Sequence, residues 1–169
     1  MSSYGTKEIL TPMGVKILAQ LMALKSKPHV KVGVLAKAGA MAKDERRADG
    51  TIVPGPVNLI TVALAAEYGT DTEPRRAFIA LTEEKNRNAW QLETAAIRQQ
   101  VIDNKMTVDE GLKRMGLLIK KDQQAMIRSS IPPENAESTK ERKHSSTTLV
   151  DTGQLINALD FEVHREGDK

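Results

Sequence analysis

The spacing of apolar residues at the start of the chain predicts a helix followed by a strand. The helix begins with Thr11 as N-cap and Pro12 in its first turn, and it ends near Lys25. Its apolar positions recur at helical spacing, and they are Met13, Ile17, Leu21 and Leu24, widened by Leu18 and Met22. Valines then alternate with other residues over His29–Leu35, which predicts a strand with one buried face.

The apolar pattern is lost between Ala36 and Pro56. This segment is rich in Ala, Gly, Lys, Asp and Arg, and Asp49 with Gly50 marks a turn within it. A segment of this length without regular structure is usually functional or disordered. Two interpretations stay open: a long hairpin arm with a mobile tip, and a flexible insertion.

The middle of the chain predicts three helices, of which the last two form a hairpin. The first ends at Gly69, a residue suited to a left-handed C-cap. Its apolar face consists of Val57, Ile60, Leu64 and Tyr68. A long helix then runs to about Asp103, and the next begins at a capping box formed by Thr107 and Glu110. Because the link between them is short, Ala80–Ser129 is predicted to be an antiparallel helical hairpin.

The last quarter of the chain predicts a polar loop, a turn and a closing strand. A pair of prolines ends the hairpin, and the polar loop follows over Glu134–Thr148. In the turn after it, the Asp151 carboxylate is expected to accept the backbone N–H groups of Gly153 and Gln154. Apolar and polar residues then alternate over Leu159–Val163, as in a strand with one buried face.

These elements predict an α+β fold and a single domain over residues 1–169. A small sheet containing His29–Leu35 and Leu159–Val163 packs against the long antiparallel helical hairpin. The N-terminal helix and a long loop or hairpin arm at residues 36–56 complete the fold. A chain of 169 residues with 40% hydrophobic content can form such a core, because a domain of this size buries roughly two-thirds of its unfolded surface.

Composition and charge exclude several classes of protein. The chain has no cysteine, which excludes a disulfide scaffold, thiol catalysis and Cys-ligated metals. The net charge is only +3, and the basic residues are diluted by acidic ones, unlike the concentrated basic faces of nucleic-acid binders. No apolar run approaches the ~20 residues of a membrane span, and the N-terminus lacks the apolar core of a signal peptide. We therefore expect a soluble protein made in a cytoplasm.

The triplet Asp151-Thr152-Gly153 is the only candidate for catalysis. Aspartic peptidases present a catalytic carboxylate after an apolar pair in this way, but they need two such carboxylates sharing a proton. One copy would serve only in a symmetric homodimer, and the surrounding chain should then be nearly all β. The three histidines are far apart in the sequence, and no phosphate loop or nucleophile elbow is present. We expect no enzymatic activity, no cofactor and no metal.

Three stretches in this order, Ala65–Thr70, Pro74–Phe78 and Thr139–Val163, resemble the neck or tail-completion proteins of tailed bacteriophages and prophages. Members of that family carry an Ala-rich helix ending in Glu-aromatic-Gly, then Arg-Pro-Phe, and finally a Leu-(Ile/Val)-Asp-Thr-Gly-x-Leu turn before a closing strand. The matching positions are Glu67, Tyr68, Gly69, Arg76, Phe78, Leu149, Asp151, Thr152, Gly153 and Leu155. Two positions depart from the pattern, since Ala77 and Thr148 stand where the family favours proline.

The resemblance implies a structural virion subunit that joins or completes the tail at the head–tail interface, after assembly in the host cytoplasm. It would form a hexameric or dodecameric ring around the DNA channel, beside the stopper or adaptor, the tail terminator and the portal. It would bind neither a specific DNA sequence nor a membrane. The candidate interface residues are Lys43, Arg46, Arg47, Arg75, Lys140, Arg142 and Lys143.

Two alternatives and one packing hypothesis accompany the resemblance. The alternatives are a DNA-associating phage packaging factor and a homodimeric aspartic peptidase that uses Asp151. The packing hypothesis is that Tyr68, Phe78 and Phe161 meet in one core. Arg75 and Arg76 would then pair with a carboxylate or face an acidic neighbour.

Overall fold

The chain folds as an α+β protein, as its apolar pattern predicts. The computed structural model describes residues 11–47, 49–143 and 147–166, and the side chains of Arg46, Arg142 and Lys143 lie outside the described part. The elements in chain order are α1 (Pro12–Lys25), β1 (His29–Val34), α2 (Ala36–Gly39), β2 (Ala42–Arg46), β3 (Ile52–Asn58), α3 (Leu59–Tyr68), α4 (Phe78–Ile102), α5 (Val108–Arg128), α6 (Glu137–Lys143), α7 (Gln154–Ala158) and β4 (Leu159–His164).

Strands β1 and β4 pair antiparallel and place the closing strand of the chain beside the first one. Val30 lies opposite Val163, and Val32 lies opposite Phe161. Helix α5 packs against both strands, with Gly116 at the point of closest approach. A Cβ at Gly116 would stand 2.6 Å from Cγ of Phe161 and 3.0 Å from a methyl group of Val30. The predicted sheet and its packing on the hairpin are confirmed.

Helices α4 and α5 form the predicted antiparallel hairpin. The Thr107 hydroxyl accepts the Glu110 backbone N–H at 3.2 Å, and the Glu110 carboxylate accepts the Thr107 N–H at 2.8 Å. This reciprocal pair is the predicted capping box, and it begins α5. Across the hairpin, Trp90 Nε1 donates a hydrogen bond to Asp122 at 2.7 Å. The contact joins the middle of α4 to the second half of α5, as expected for an antiparallel pair with a short link.

The core lies where α3, α4, α5, α7 and β4 meet around Phe78. Phe78, Ile127 and Leu159 are fully buried. The other members of the cluster are Ala63, Ala66, Ile131, Leu155 and Ile156. The hypothesis that three aromatic residues share this core is wrong, because Tyr68 is 73% exposed and Phe161 packs on α5 instead. Tyr68 lies on the outer face of α3, whose inner face consists of smaller residues that fit beneath Phe78.

Two details of the prediction are wrong: the start of α3, which the N-cap Asn58 explains, and the assignment of Glu134–Thr148 as a loop throughout. Residues 36–56 form a short helix and a β-hairpin, which supports the arm interpretation, but the second strand continues to Asn58. The Asn58 side chain accepts the Thr61 backbone N–H at 2.9 Å and begins α3 there. Val57 therefore belongs to the arm and not to the helix. The segment Glu134–Thr148, predicted to be a polar loop throughout, contains the short helix α6.

Candidate functional site

Six of the ten residues that carry the family resemblance line one cavity of about 590 Å³, and the stretch Ala65–Thr70 contributes Ala65 and Ala66 to it. It lies between the arm (the β2–β3 hairpin, Ala42–Asn58), α3, the turn before α4 and the segment that precedes α7. Arg76, Leu149, Leu155 and the triplet Asp151-Thr152-Gly153 line it, together with Lys43 from the arm. Three stretches that are separated in the sequence thus meet at one place. We define this cavity and its lining as the motif cavity.

Glu67, from the Glu-aromatic-Gly motif, caps the long helix α4. Its side chain is buried, and its two carboxylate oxygens accept the backbone N–H groups of Ile79 at 2.9 Å and Ala80 at 3.0 Å. The N-cap residue itself, Ala77, has no side chain that could accept these groups. Negative charge at this end of a helix is also favoured by the helix dipole. Glu67 therefore caps α4 from a distant position in the sequence, because the residues next to the helix provide no capping side chain.

Gly69 allows the chain to turn directly after this cap. Its φ is 78°, a value that L side chains rarely adopt, and a Cβ there would stand 3.1 Å from the backbone nitrogen of Arg75. Its backbone N–H donates to the Ala65 carbonyl at 2.8 Å. The predicted role as helix C-cap is confirmed, but ψ is 170°, so the conformation is not left-handed helical. The neighbouring Arg75 donates Nε to the Glu67 carbonyl at 2.9 Å.

Arg76 is a buried cross-link rather than a free charge. Only 7% of its side chain is exposed. Its Nε donates to the Pro133 carbonyl at 2.9 Å and an Nη donates to the Glu134 carbonyl at 3.3 Å, while its backbone N–H donates to the Ala66 carbonyl at 2.7 Å. The Glu73 carboxylate stands 3.9 Å from its other Nη. Arg76 therefore joins α3, the start of α4 and the segment after α5.

Asp151 does not cap the turn that follows it, so that prediction is wrong. The N-cap of α7 is Gly153, in the left-handed conformation and without a side-chain cap. The Asp151 side chain is 13% exposed and points instead toward the arm, where its Oδ2 stands 3.8 Å from Nζ of Lys43. Its Oδ1 is buried and has no hydrogen-bond partner among the described residues.

Gln154 fixes the arm to the rest of the chain, and the sequence analysis missed it. Its Oε1 accepts the Asp44 backbone N–H at 2.7 Å, and its Nε2 donates to the Ala42 carbonyl at 2.9 Å. Both partners are backbone groups of β2, so the amide acts as one more strand position along that edge. A polar residue directly after the triplet was the only signal in the sequence, and it did not indicate the partner.

The candidate interface residues are distributed over four places, one of which is the exposed Arg75 in the turn before α4. Lys43 is partly buried beside the motif cavity, and Arg47 is exposed near the tip of the arm. Lys140 lies between two carboxylates, since its Nζ is 3.0 Å from Glu134 and 3.3 Å from Glu137. Hydrogen bonds to these carboxylates raise the pKa of Lys140 above its ordinary value of 10.5. The predicted interface side chains of Arg46, Arg142 and Lys143 lie outside the described residues.

A comparison with protein-family models, curated proteins and solved structures found no match to this chain. Within residues 11–47, 49–143 and 147–166, no helix is long and apolar enough to cross a membrane. The same residues contain no group of three or more His, Asp or Glu side chains that could hold a metal ion. Inferences about function therefore rest on the chain's own residues.

Proposed function

We propose that this chain is a structural subunit of the neck or tail of a tailed bacteriophage, where it joins or completes the tail as part of a ring around the DNA channel. The matched residues and their order support this proposal. The observation that carries it is that the matched stretches contact one another, in part around the motif cavity. Glu67 caps α4, Arg76 links three segments, and Leu155 packs in the core with Phe78.

The contacts of the matched residues favour a framework over a catalytic site. Glu67 and Arg76 are buried and their polar atoms bind backbone groups of the same chain. The peptidase alternative requires a nearly all-β chain, whereas the described chain consists mainly of helices with two small two-stranded sheets. Asp151 faces Lys43, and a protonated dyad needs a second carboxylate in that place. These features support a building block rather than an aspartic peptidase.

In the proposed ring the arm reaches a neighbouring subunit. The arm is the β2–β3 hairpin over Ala42–Asn58, and those of its side chains that the structure describes are exposed or partly exposed. Ala42 and Asn58 lie opposite each other in the hairpin register, so residues 43–57 can be replaced by a short glycine link while Asn58 still caps α3. The shortened chain should fold with α4 and α5 intact and should fail to complete tails. An unfolded product would mean that the arm is part of the core.

Deleting the gene from its phage tests the proposal directly. Electron microscopy of the lysate should show separate heads and tails, or unfinished tails, in place of complete virions. Supplying the chain from a plasmid should restore the plaque titre, and the chain should be found in purified virions. Full infectivity of the deletion phage would refute the proposal.

Salt dependence separates the proposed subunit from the packaging-factor alternative. A protein that neutralises several DNA phosphates loses affinity steeply as salt is added. Assembly through apolar surfaces changes little over the same range, because burial of apolar area does not release counterions. Self-association of the purified chain and its retention on DNA should therefore be measured together over a salt series. Strong, salt-sensitive DNA retention without self-association would favour the alternative.

A further inference from the structure

Helix α1 exposes a broad band of apolar side chains. None of its residues is buried, and its large apolar residues are between 41% and 58% exposed, namely Met13, Val15, Ile17, Leu18, Leu21, Met22 and Leu24. Its hydrogen bonds to the hairpin come from Gln20, whose amide donates to the Val101 carbonyl at 3.3 Å and to Asn104 at 3.0 Å. Contiguous exposed apolar surface of this kind marks an interaction site in soluble proteins.

Helix α3 carries a second exposed apolar surface. Its inner face packs into the core through Leu59, Ala63 and Ala66. Its outer face presents Ile60, Leu64 and Tyr68, which are 40%, 52% and 73% exposed. These three residues are spaced four apart, so they form one continuous stripe along the helix. We call this surface the α3 stripe.

The two surfaces lie at opposite ends of the long hairpin. Gln20 fixes α1 beside Val101 and Asn104, at the turn between α4 and α5. Glu67 fixes the end of α3 to Ala80 in the first turn of α4. Ala80 and Val101 are 21 positions apart in α4, which corresponds to roughly 30 Å along the helix axis. Helix α1 therefore cannot cover the α3 stripe of its own chain, but it can reach that of another copy.

The charges beside the two surfaces are opposite. Helix α1 contains Lys16 and Lys25 and no acidic residue. Beyond the end of the α3 stripe stand the exposed carboxylates of Asp71 and Glu73, of which Glu73 also lies 3.9 Å from the Arg76 guanidinium. Pairing α1 with a second α1 would bring four lysines together, whereas pairing α1 with the α3 stripe brings lysines toward carboxylates. Complementary charges of this kind fix the partner and the orientation of an interface.

We propose that α1 of one copy docks on the α3 stripe of the next copy, head to tail. Such a heterologous contact uses two different surfaces of each subunit and generates a ring when its rotation closes. This inference rests on the proposed function, because it names the contact between neighbouring subunits of the ring. None of Ile60, Leu64 and Tyr68 lines the motif cavity, so this contact leaves that cavity open.

Two charge substitutions and their mixture test the proposal with the full-length chain. Leu21→Glu damages α1 and leaves the α3 stripe intact, while Leu64→Lys does the reverse. Both positions are exposed, and Glu and Lys are good helix formers, so thermal melting should confirm that both variants fold. Light scattering after size exclusion should show an oligomer for the wild type. Each variant alone should be monomeric, with self-association weakened at least about tenfold, as expected for a lost hot-spot contact.

The equimolar mixture gives the decisive result. The intact α1 of Leu64→Lys should dock on the intact stripe of Leu21→Glu, so the mixture should associate although neither variant does so alone. Leu92→Glu, at an exposed apolar position in the middle of α4, is the matched control and should keep the wild-type size. The proposal is overturned if the mixture stays monomeric. It is also overturned if Leu64→Lys alone forms oligomers of wild-type size, or if the wild type is a monomer.

The phage assay distinguishes failure of this inference from failure of the proposed function. Leu21→Glu and Leu64→Lys should each fail to restore the titre of the deletion phage, and Leu92→Glu should restore it. If both variants restore the wild-type titre, the α1–α3 contact is refuted while the proposed function stands. A Leu21→Glu chain that melts earlier and keeps the oligomer size would show that its own chain covers α1, which also refutes the contact.

Discussion

Replacing Glu67 tests the framework that joins the matched stretches. In Glu67→Ala, the backbone N–H groups of Ile79 and Ala80 lose the carboxylate oxygens that stand 2.9 Å and 3.0 Å away. Because Glu67 is only 8% exposed, water reaches the vacated position poorly. Glu67→Gln keeps one acceptor oxygen, loses the charge and presents an NH₂ group to the other N–H. The two variants therefore divide the effect into hydrogen bonding and charge.

The expected loss follows from the two bonds. A hydrogen bond to a charged group contributes about 1.5–3 kcal/mol, and loss of a helix N-cap costs about 0.5–2 kcal/mol. Since both bonds end on one helix terminus and are not additive, we expect Glu67→Ala to lower the free energy of unfolding by about 2–4 kcal/mol. Glu67→Gln should lower it by about 1–2 kcal/mol. For a domain of this size, Glu67→Ala should reduce Tm by roughly 5–15 °C.

Thermal and urea unfolding monitored by circular dichroism measure both variants. Glu84→Ala is the matched control, because Glu84 is an exposed carboxylate on the same helix, and its Tm should change by less than about 2 °C. The measurement should be made on monomeric chain, for example in the Leu21→Glu background, so that dissociation does not contribute. If the free energy of unfolding of Glu67→Ala lies within about 0.5 kcal/mol of that of its parent, the carboxylate does not cap α4 and the framework has been misassigned.

Three further changes have expected outcomes. Gly116→Ala should destabilise the chain by about 1–3 kcal/mol, although Ala favours helices, because its Cβ would overlap the ring of Phe161; urea unfolding checks this. Gln154→Ala removes two hydrogen bonds to β2 and should weaken the attachment of the arm by about 1–3 kcal/mol. Limited proteolysis should then cut within residues 43–57, while Tm changes less than the rate of cleavage. The hydrogen bond from Lys120 lowers the pKa of Asp160 below its ordinary value of 3.8. The ionised Asp160 therefore stabilises the fold above pH 3.8, and this stabilisation is lost as the pH falls through the lowered pKa. The Tm of Asp160→Asn should fall less steeply than that of the wild type on acidification.

The elements that the sequence predicted correctly depend on local signals. The capping box uses Thr107 and Glu110, which are three residues apart, so one turn of helix contains both partners. Helix α1 likewise begins at Thr11, whose hydroxyl accepts the Gly14 backbone N–H at 3.1 Å. The alternating valines of β1 and the alternation over β4 each require one buried face, and the two strands pair with each other. Such signals fix elements and their boundaries without knowledge of the fold.

The failures of prediction occur where the partner is distant in the sequence. Asp151 has the residue type of a cap, but its carboxylate faces Lys43, more than a hundred residues away. The amide of Gln154 binds the backbone of β2 at a similar separation. Tyr68 was expected in the core because it lies, like Phe78 and Phe161, within the matched stretches, yet the space beneath α3 is filled by Phe78 and aliphatic side chains. Residue type alone does not determine which of several possible partners is close.

Assembly needs two kinds of residue: buried ones that hold the subunit together and exposed apolar ones that contact a neighbouring subunit. The matched residues that resemble a phage family are mainly framework, since Glu67, Arg76 and Leu155 are buried and bind within the chain. The surfaces with unburied apolar area, α1 and the α3 stripe, lie largely outside the matched positions. A framework substitution such as Glu67→Ala should therefore lower stability first and assembly only as a consequence. A substitution such as Leu21→Glu should abolish assembly at unchanged stability, because it removes a contact that the isolated chain does not make.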